Sequence, residues 1–155
     1  MAAAARVQPA VLAKERNLFV NKGSVGTPAW VLVGCATGKE YGLANEMIKL
    51  NCDAGTRNID NGEDSVYDFN LNGFVFQYAT GDVATNVSAG EFEGWAAAKP
   101  QVRRQYKYEG KFIGDSIRTF FAYIASFRET ATNGEAATYA IALTIDETPV
   151  VTAQA

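Results

Sequence analysis

The stretch VLVGCATGKE, Val31 to Glu40, holds the residues of this chain that come nearest to a known chemical device. An apolar run meets Gly34, and Gly38-Lys39 follows, much as a phosphate-cradling loop begins. That loop needs four residues between its glycines, so that successive backbone N–H groups wrap the phosphates. It also needs a Ser or Thr after the lysine to hold Mg²⁺. Here three residues separate Gly34 from Gly38, and Glu40 follows Lys39. A carboxylate in that place repels phosphate. The stretch reads instead as a glycine-bearing turn between two strands, with Lys39 a solvated charge.

The carboxylates are the next candidates. Asp60 with Glu63 or Asp64 could serve as the acid pair of a glycosidase, but they sit in the polar run DAGTRNIDNGED, where nothing desolvates one of them to raise its pKa. Calcium would need D-x-[DN]-x-[DN]-G with a distal Glu, and that spacing is missing. The chain has no histidine, which removes Ser-His-Asp and Cys-His nucleophiles and histidine metal sites together. Two cysteines are too few for a structural zinc site. With Val31–Ala36 and Leu43–Cys52 read as arms of one hairpin turning near Lys39, Cys35 and Cys52 lie at opposite ends. Roughly nine residues at about 3.3 Å each then part them, beyond disulfide reach, so both read as free thiols in a reducing compartment. Neither catalysis, metal nor cofactor is expected.

The totals bound the class. One domain is the simplest reading of 155 residues, of which 48 % are hydrophobic and 20 % charged, an ordered globular balance. A net charge of −3, with no run of Lys or Arg, argues against a dedicated nucleic-acid binder, which needs a cationic stripe. Arg6, Gln8 and Pro9 interrupt the N-terminal apolar stretch, so it does not read as a secretory signal. No segment has the apolar length of a membrane span.

Along the chain, residues 1–16 read as an arm, alanine-rich and then charged at Lys14, Glu15 and Arg16. Residues 17–155 read as one β domain. Strands are expected at Leu18–Val20, over AWVLVGC and over YGLANEMIKLNC, followed by a long exposed loop from Asp53 to Asp64. Loops of that length usually have a task. SVYDFNLNGFVFQY alternates with period two, but its phase slips at Asn72-Gly73, the mark of a bulge or a change of sheet. One helix is expected over about 88–99, with Ser88 as N-cap, Glu91 completing a capping box and Pro100 as the stop. Phe92, Trp95 and Ala96 form its apolar stripe.

Three long strands close the chain, with turns at Gly114-Asp115 and Thr132–Glu135. The fold class is therefore mainly β: a two-sheet sandwich or barrel with a flanking helix. Within it, Ser116–Phe127 is apolar on both faces. Phe120, Ala122 and Ile124 look one way, and Phe121, Tyr123 and Ala125 the other. A sandwich buries one side of each sheet, so the second face needs the helix or a neighbouring subunit. This points to self-assembly.

From about Asn17 to Val150 the chain resembles the major tail tube protein of long-tailed, siphovirus-type bacteriophages. The cues are WVLVGCATGKEYGLANEMIKLNCDAGTRNIDNG, a tryptophan-led strand, a second strand and a polar loop, and then a helix feeding VRRQYKYEGKFIGDSIRTFFAYIASFRETATNGEAATYAIALTIDETPV. The resemblance implies a two-sheet β fold with a flanking helix, assembled into hexameric rings that stack into a tube through which DNA passes without specific binding. It implies a virion location, assembly in the host cytoplasm, tape-measure, terminator and tip proteins as partners, and no catalytic residues.

The subunit and ring-stacking contacts expected from the residues and the resemblance together are Asp53, Arg57, Asn58, Asp60, Asn61, Glu63 and Asp64 in the loop, Phe120, Phe121 and Tyr123 in the strand, and Lys14 and Arg16 in the arm. The competing expectation is a β-sandwich module for carbohydrate or another surface ligand, with Trp30, Tyr106 or Trp95 as platform; Tyr108, Tyr123 and Tyr139 could extend it. The arm and the Asp53–Asp64 loop are too poor in apolar surface to order before assembly.

Overall fold

A computed structural model describes residues 3–155. It contains strands β1 (Arg16–Asn21), β2 (Trp30–Val33), β3 (Ala36–Ala44), β4 (Met47–Cys52), β5 (Gly55–Asp60), β6 (Val66–Phe74) and β7 (Asn86–Val87). Helix α1 (Ala89–Ala97) follows, then β8 (Arg104–Gly110), β9 (Ser116–Thr130) and β10 (Thr138–Ala153). The mainly β expectation with one flanking helix holds, and there are two sheets. One has eight strands in the order β3-β6-β10-β9-β8-β1-β2-β7, and the other is the β4-β5 pair. Among the described residues no helix is long and apolar enough to cross a membrane.

The connection between β2 and β3 dictates the shape. β2 lies next to one end of the large sheet and β3 is its other end, yet only Gly34 and Cys35 join them. So short a link reaches about 10 Å at most. The sheet must therefore roll on itself until its ends meet at this corner, and its halves face each other as the layers of a sandwich. Rings cross the interior accordingly. Phe69 of β6 meets Tyr108 of β8 edge-on at 5.1 Å, and Tyr41 of β3 lies 6.5 Å from Phe120 of β9.

Period-two patterning decides what enters the roll. Tyr139, Ile141 and Leu143 of β10 are buried, while Thr138, Ala140 and Thr144, alternating with them, are exposed and Ala142 is half-buried. Tyr106 of β8 is fully buried and stacks on Phe120 at 5.7 Å. Over α1 the expected capping box is present, with the Glu91 N–H donating to Ser88 Oγ and the Ser88 N–H to Glu91 Oε2. The helix drives the fully buried Phe92 against Tyr139, ring to ring at 6.4 Å, and Trp95 caps Phe92 edge-on.

Three sequence expectations are corrected. Val31–Ala36 and Leu43–Cys52 are not arms of one hairpin. β2 pairs with β1 and β7, and β3 pairs with β6. The chain turns at Gly34-Cys35, where Cys35 takes the left-handed φ of 54°, and β3 runs straight through Gly38 and Lys39. The Asp53–Asp64 segment is not a loop throughout. Gly55–Asp60 form β5, paired residue for residue with β4 from Cys52↔Gly55 to Met47↔Asp60. Its polar side chains hid the pairing, because neither face of the hairpin is buried. The 65–78 strand ends at Phe74. The slip at Asn72-Gly73 does mark a bulge, but the extra residue is Thr37 in the partner strand, between Ala36↔Gly73 and Gly38↔Asn72. Gly73 is obligatory there. A Cβ would lie 2.7 Å from the Cys35 carbonyl oxygen and 2.8 Å from the Tyr139 ring.

Candidate interaction surface

Lys39, read above as solvated, sits inside β3 and is half-buried. Its ammonium donates to the Arg16 carbonyl and, at 3.4 Å, to that of Ala13, and burial pushes its pKa down. It ties the arm to the sheet edge. Asp60 accepts the Gly62 N–H at 3.0 Å and Asn61 accepts the Glu63 N–H at 2.9 Å. These are turn contacts at the foot of the hairpin, and Asp60, Glu63 and Asp64 are all exposed. No group of three or more His, Cys, Asp or Glu residues among those described is arranged to hold a metal ion. Cys35 and Cys52 are both exposed and unpaired.

The aromatic platform does not form. Tyr106 and Tyr139 are buried. Burial also pushes their phenols up, that of Tyr139 to about 12. Trp95 is half-buried with the Arg104 guanidinium 4.0 Å above its ring, and Lys107 stands over Trp30 at 5.0 Å. The faces that would stack on a sugar are occupied.

What the fold does expose is apolar strand surface. The β4–β5 hairpin consists of two six-residue strands in which every residue is exposed. By its register, Ile48, Leu50 and Cys52 share one face with Ile59 and Arg57, and Lys49 and Asn51 share the other with Thr56, Asn58 and Asp60. Ile48, Leu50 and Ile59 are 44–46 % exposed, an apolar face with nothing on it. The hairpin is anchored at its foot, where the Asn61 N–H donates to the Glu46 carbonyl and Asn61 Nδ2 to Glu46 Oε2. Asp53 lies in the two-residue turn at the tip, beside Cys52.

Strand edges are also open. β3 pairs only with β6, and β6 stops pairing with β10 at Thr144↔Asp68. Val150–Ala153 of β10 therefore pair on one side only, with Thr119–Ser116, and Val150 and Val151 are 62 % and 59 % exposed. The bulge that sets this end apart, Glu147–Pro149, includes Glu147 with a φ of 68°.

The expected contact residues of β9 divide. Phe120 is sealed in the core and leaves the set. Phe121 is half-buried by its own chain, under the Arg103 guanidinium at 4.3 Å, which Asp146 and Glu147 hold at 2.9 and 2.8 Å. Tyr123 is 39 % exposed. Arg16 turns inward to the Ser116 carbonyl and hydroxyl, while Lys14 is exposed.

The arm is docked rather than free. Ala4 forms a parallel bridge to Phe112, and the Ile113 N–H donates to the Ala4 carbonyl at 3.0 Å. Arg6 lies 4.7 Å from the Phe112 ring centroid, donates to both carboxylate oxygens of Asp115 at 2.7 and 2.8 Å, and reaches Glu15 at 2.6 Å. The hydrogen bond from Arg6 is the main cause holding the Asp115 and Glu15 carboxyls below their ordinary range. Sequence reading missed Met47, Ile48, Leu50 and Ile59, although the alternation of Ile48 and Leu50 was there to find. Nothing local pairs Arg6 with Asp115.

No protein-family profile matches the chain, and a search of curated proteins finds no match by sequence. Solved structures do match. A chain from the tail of an empty gene transfer agent particle, refined with C6 symmetry, aligns with a TM-score of 0.66 at 13 % identity, over 92 % of this chain and 99 % of that one. A chain of the SPP1 tail tube aligns with a TM-score of 0.66 at 11 % identity, over 93 % and 80 %. A chain from the extended sheath-tube complex of the PVC extracellular contractile injection system aligns with a TM-score of 0.62 at 13 % identity, over 95 % and 94 %.

This chain has a tail-tube fold. The likeness covers 92–95 % of the chain at 11–13 % identity.

Proposed function

We propose that this chain is a structural subunit that assembles with copies of itself into stacked six-fold rings, forming the tail tube of a virion and a conduit for DNA. The observation that carries the reading is the β4–β5 hairpin, in a chain whose fold is that of tail and tube structures. A lone two-stranded hairpin is marginal in water, and this one leaves Ile48, Leu50 and Ile59 uncovered on one face. A neighbouring copy that covers this face supplies the missing third layer. Arg57 on that face and Asp53 at the tip then become contact residues by position, Asn58 and Asp60 line the opposite face of the same hairpin, Asn61, Glu63 and Asp64 lie at its foot, and Tyr123 and Lys14 are the exposed members from the body and arm.

The role is structural rather than catalytic. Assembly takes place in the host cytoplasm, with tape-measure, terminator and tip proteins as further partners. A net charge of −3 suits a bore that conducts DNA, because carboxylates facing it deny phosphate an electrostatic grip. Electron microscopy of the concentrated protein tests the reading. Rings or hollow rods are expected; particles that stay small and globular at every concentration would overturn it.

A further inference from the structure

We propose that the corner formed by Phe112 and Asp115 is a receptor for the arm of a second copy, and that Arg6 docked there in the free chain is the closed form of a contact that assembled chains exchange. The inference rests on the self-assembly reading and adds to it a partner segment and its socket.

The socket is complete without the arm. Asp115 Oδ2 accepts the Phe112 N–H at 3.1 Å, and the Asp115 N–H returns to the Phe112 carbonyl at 3.1 Å. Gln154 clamps the same turn, accepting from Gly114 N–H at 2.9 Å and donating to the Asp115 carbonyl at 2.8 Å. Gly110 leaves the space that the Asp115 side chain fills, since a Cβ there would lie 2.3 Å from it. Glu15, the second acceptor for Arg6, was read with the arm from the sequence, but it adjoins Arg16, the first residue of β1, and so stays with the body.

Beyond Lys39, which holds the base of the arm through the Ala13 and Arg16 carbonyls, the arm has few anchors. Its bonds to the turn are the Ala4 contacts and the Arg6 fork, while Val7 is 95 % exposed and Val11 and Leu12 are 47 % and 44 % exposed. The closed form thus leaves Val7 in water and Val11 and Leu12 half uncovered. Every copy carries the same key and the same socket, so exchange between copies keeps each polar contact and gives those valines and Leu12 a surface to cover, the logic of a segment swap. Ten residues of arm span up to roughly 35 Å when extended, enough to cross to an adjacent subunit.

The test is a reversible lock. Ala4→Cys with Phe112→Cys, in a chain carrying Cys35→Ser and Cys52→Ser, is oxidised while dilute so that each arm is tied to its own body. The reduced chain is expected to form rods and the locked chain to fail, with reduction restoring assembly. When equal amounts of light and isotope-labelled reduced chains are assembled and then oxidised, heavy–light dimers are expected. Locked chains that assemble as well as reduced ones, or assembled chains that oxidise only to internal loops, would overturn the exchange alone. A reduced chain that forms no rods sinks the tube reading and the exchange with it. Arg6→Lys, joined to Asp115 by a carbodiimide in the same labelled mixture, separates exchange from self-docking in the same way and leaves the turn unaltered.

Discussion

Single atoms decide much of this molecule, and glycines show it most sharply. Gly73 lies against the Cys35 carbonyl and the Tyr139 ring, neither of which can retreat. Gly73→Ala is therefore expected to cost about 1–3 kcal/mol in urea unfolding. Gly94, inside α1 with nothing within 4 Å of its missing Cβ, should respond the opposite way. Gly94→Ala is expected to add about 0.5–1 kcal/mol, and a loss there would mean the helix is misplaced. Arg6 with Asp115 gives a pH signature. The folded carboxyl is depressed, chiefly by Arg6, so its contribution is full above the unfolded value of 3.8 and is lost as pH falls through the folded value; Glu15 behaves alike. The Ile113 amide, which donates to Ala4, should keep its hydrogen-exchange protection at pH 6 and lose it toward pH 2. Arg6→Ala should abolish that protection at both. Gly73 was legible in the sequence as a phase slip. The ion cluster was not, because its two charges lie 109 positions apart along the chain.

At the level of elements, pattern and outcome agree where one face is buried. The alternation of β8 and β10 and the Ser88–Glu91 cap were readable because burial and capping write themselves into residue type. β5 was invisible for the converse reason: with both faces in water, nothing constrains its side chains to alternate. This is also why the hairpin can be altered at little expense to the subunit. Ile48→Ser with Leu50→Ser should leave the unfolding free energy of the free chain within about 0.5 kcal/mol while rods disappear from electron micrographs. The hairpin amides should exchange quickly in the free chain and slowly in the polymer. Equal protection in both states would mean the hairpin is not a contact. The arm, expected to be unordered before assembly, is instead docked on its own body by Arg6 and Ala4, charge and backbone replacing the apolar area it lacks.

At the scale of the whole molecule the body is one rolled eight-stranded sheet closed by a two-residue corner, and that closure could not be read locally. It depends on β3 finding β6 and β2 finding β7, partners distant in sequence, whereas the alternation of each strand says only that it has an inside. The same roll gathers buried phenols. Tyr139 ionises only near pH 12 and Tyr106 is held up further still, chiefly by desolvation, against about 10 in the unfolded chain. Below pH 10 these groups are neutral in both states. Between pH 10 and 12 the unfolded chain sheds the Tyr139 proton and the folded one retains it, so stability must fall as pH rises. An alkaline titration followed by tyrosine absorbance should show these phenols ionising together with unfolding. Independent early ionisation would place them in water.

Ala4 bonds to Ile113 and Gln154 to Gly114, adjacent residues of one turn, so two segments far apart along the chain arrive at one address. Stitching them together with a short Gly-Ser bridge and opening new ends in the exposed Thr132–Glu135 turn would make a permuted chain with every strand still in place. Such a chain would hold its former arm captive at both ends, separating the ability to fold from the liberty to reach a neighbour.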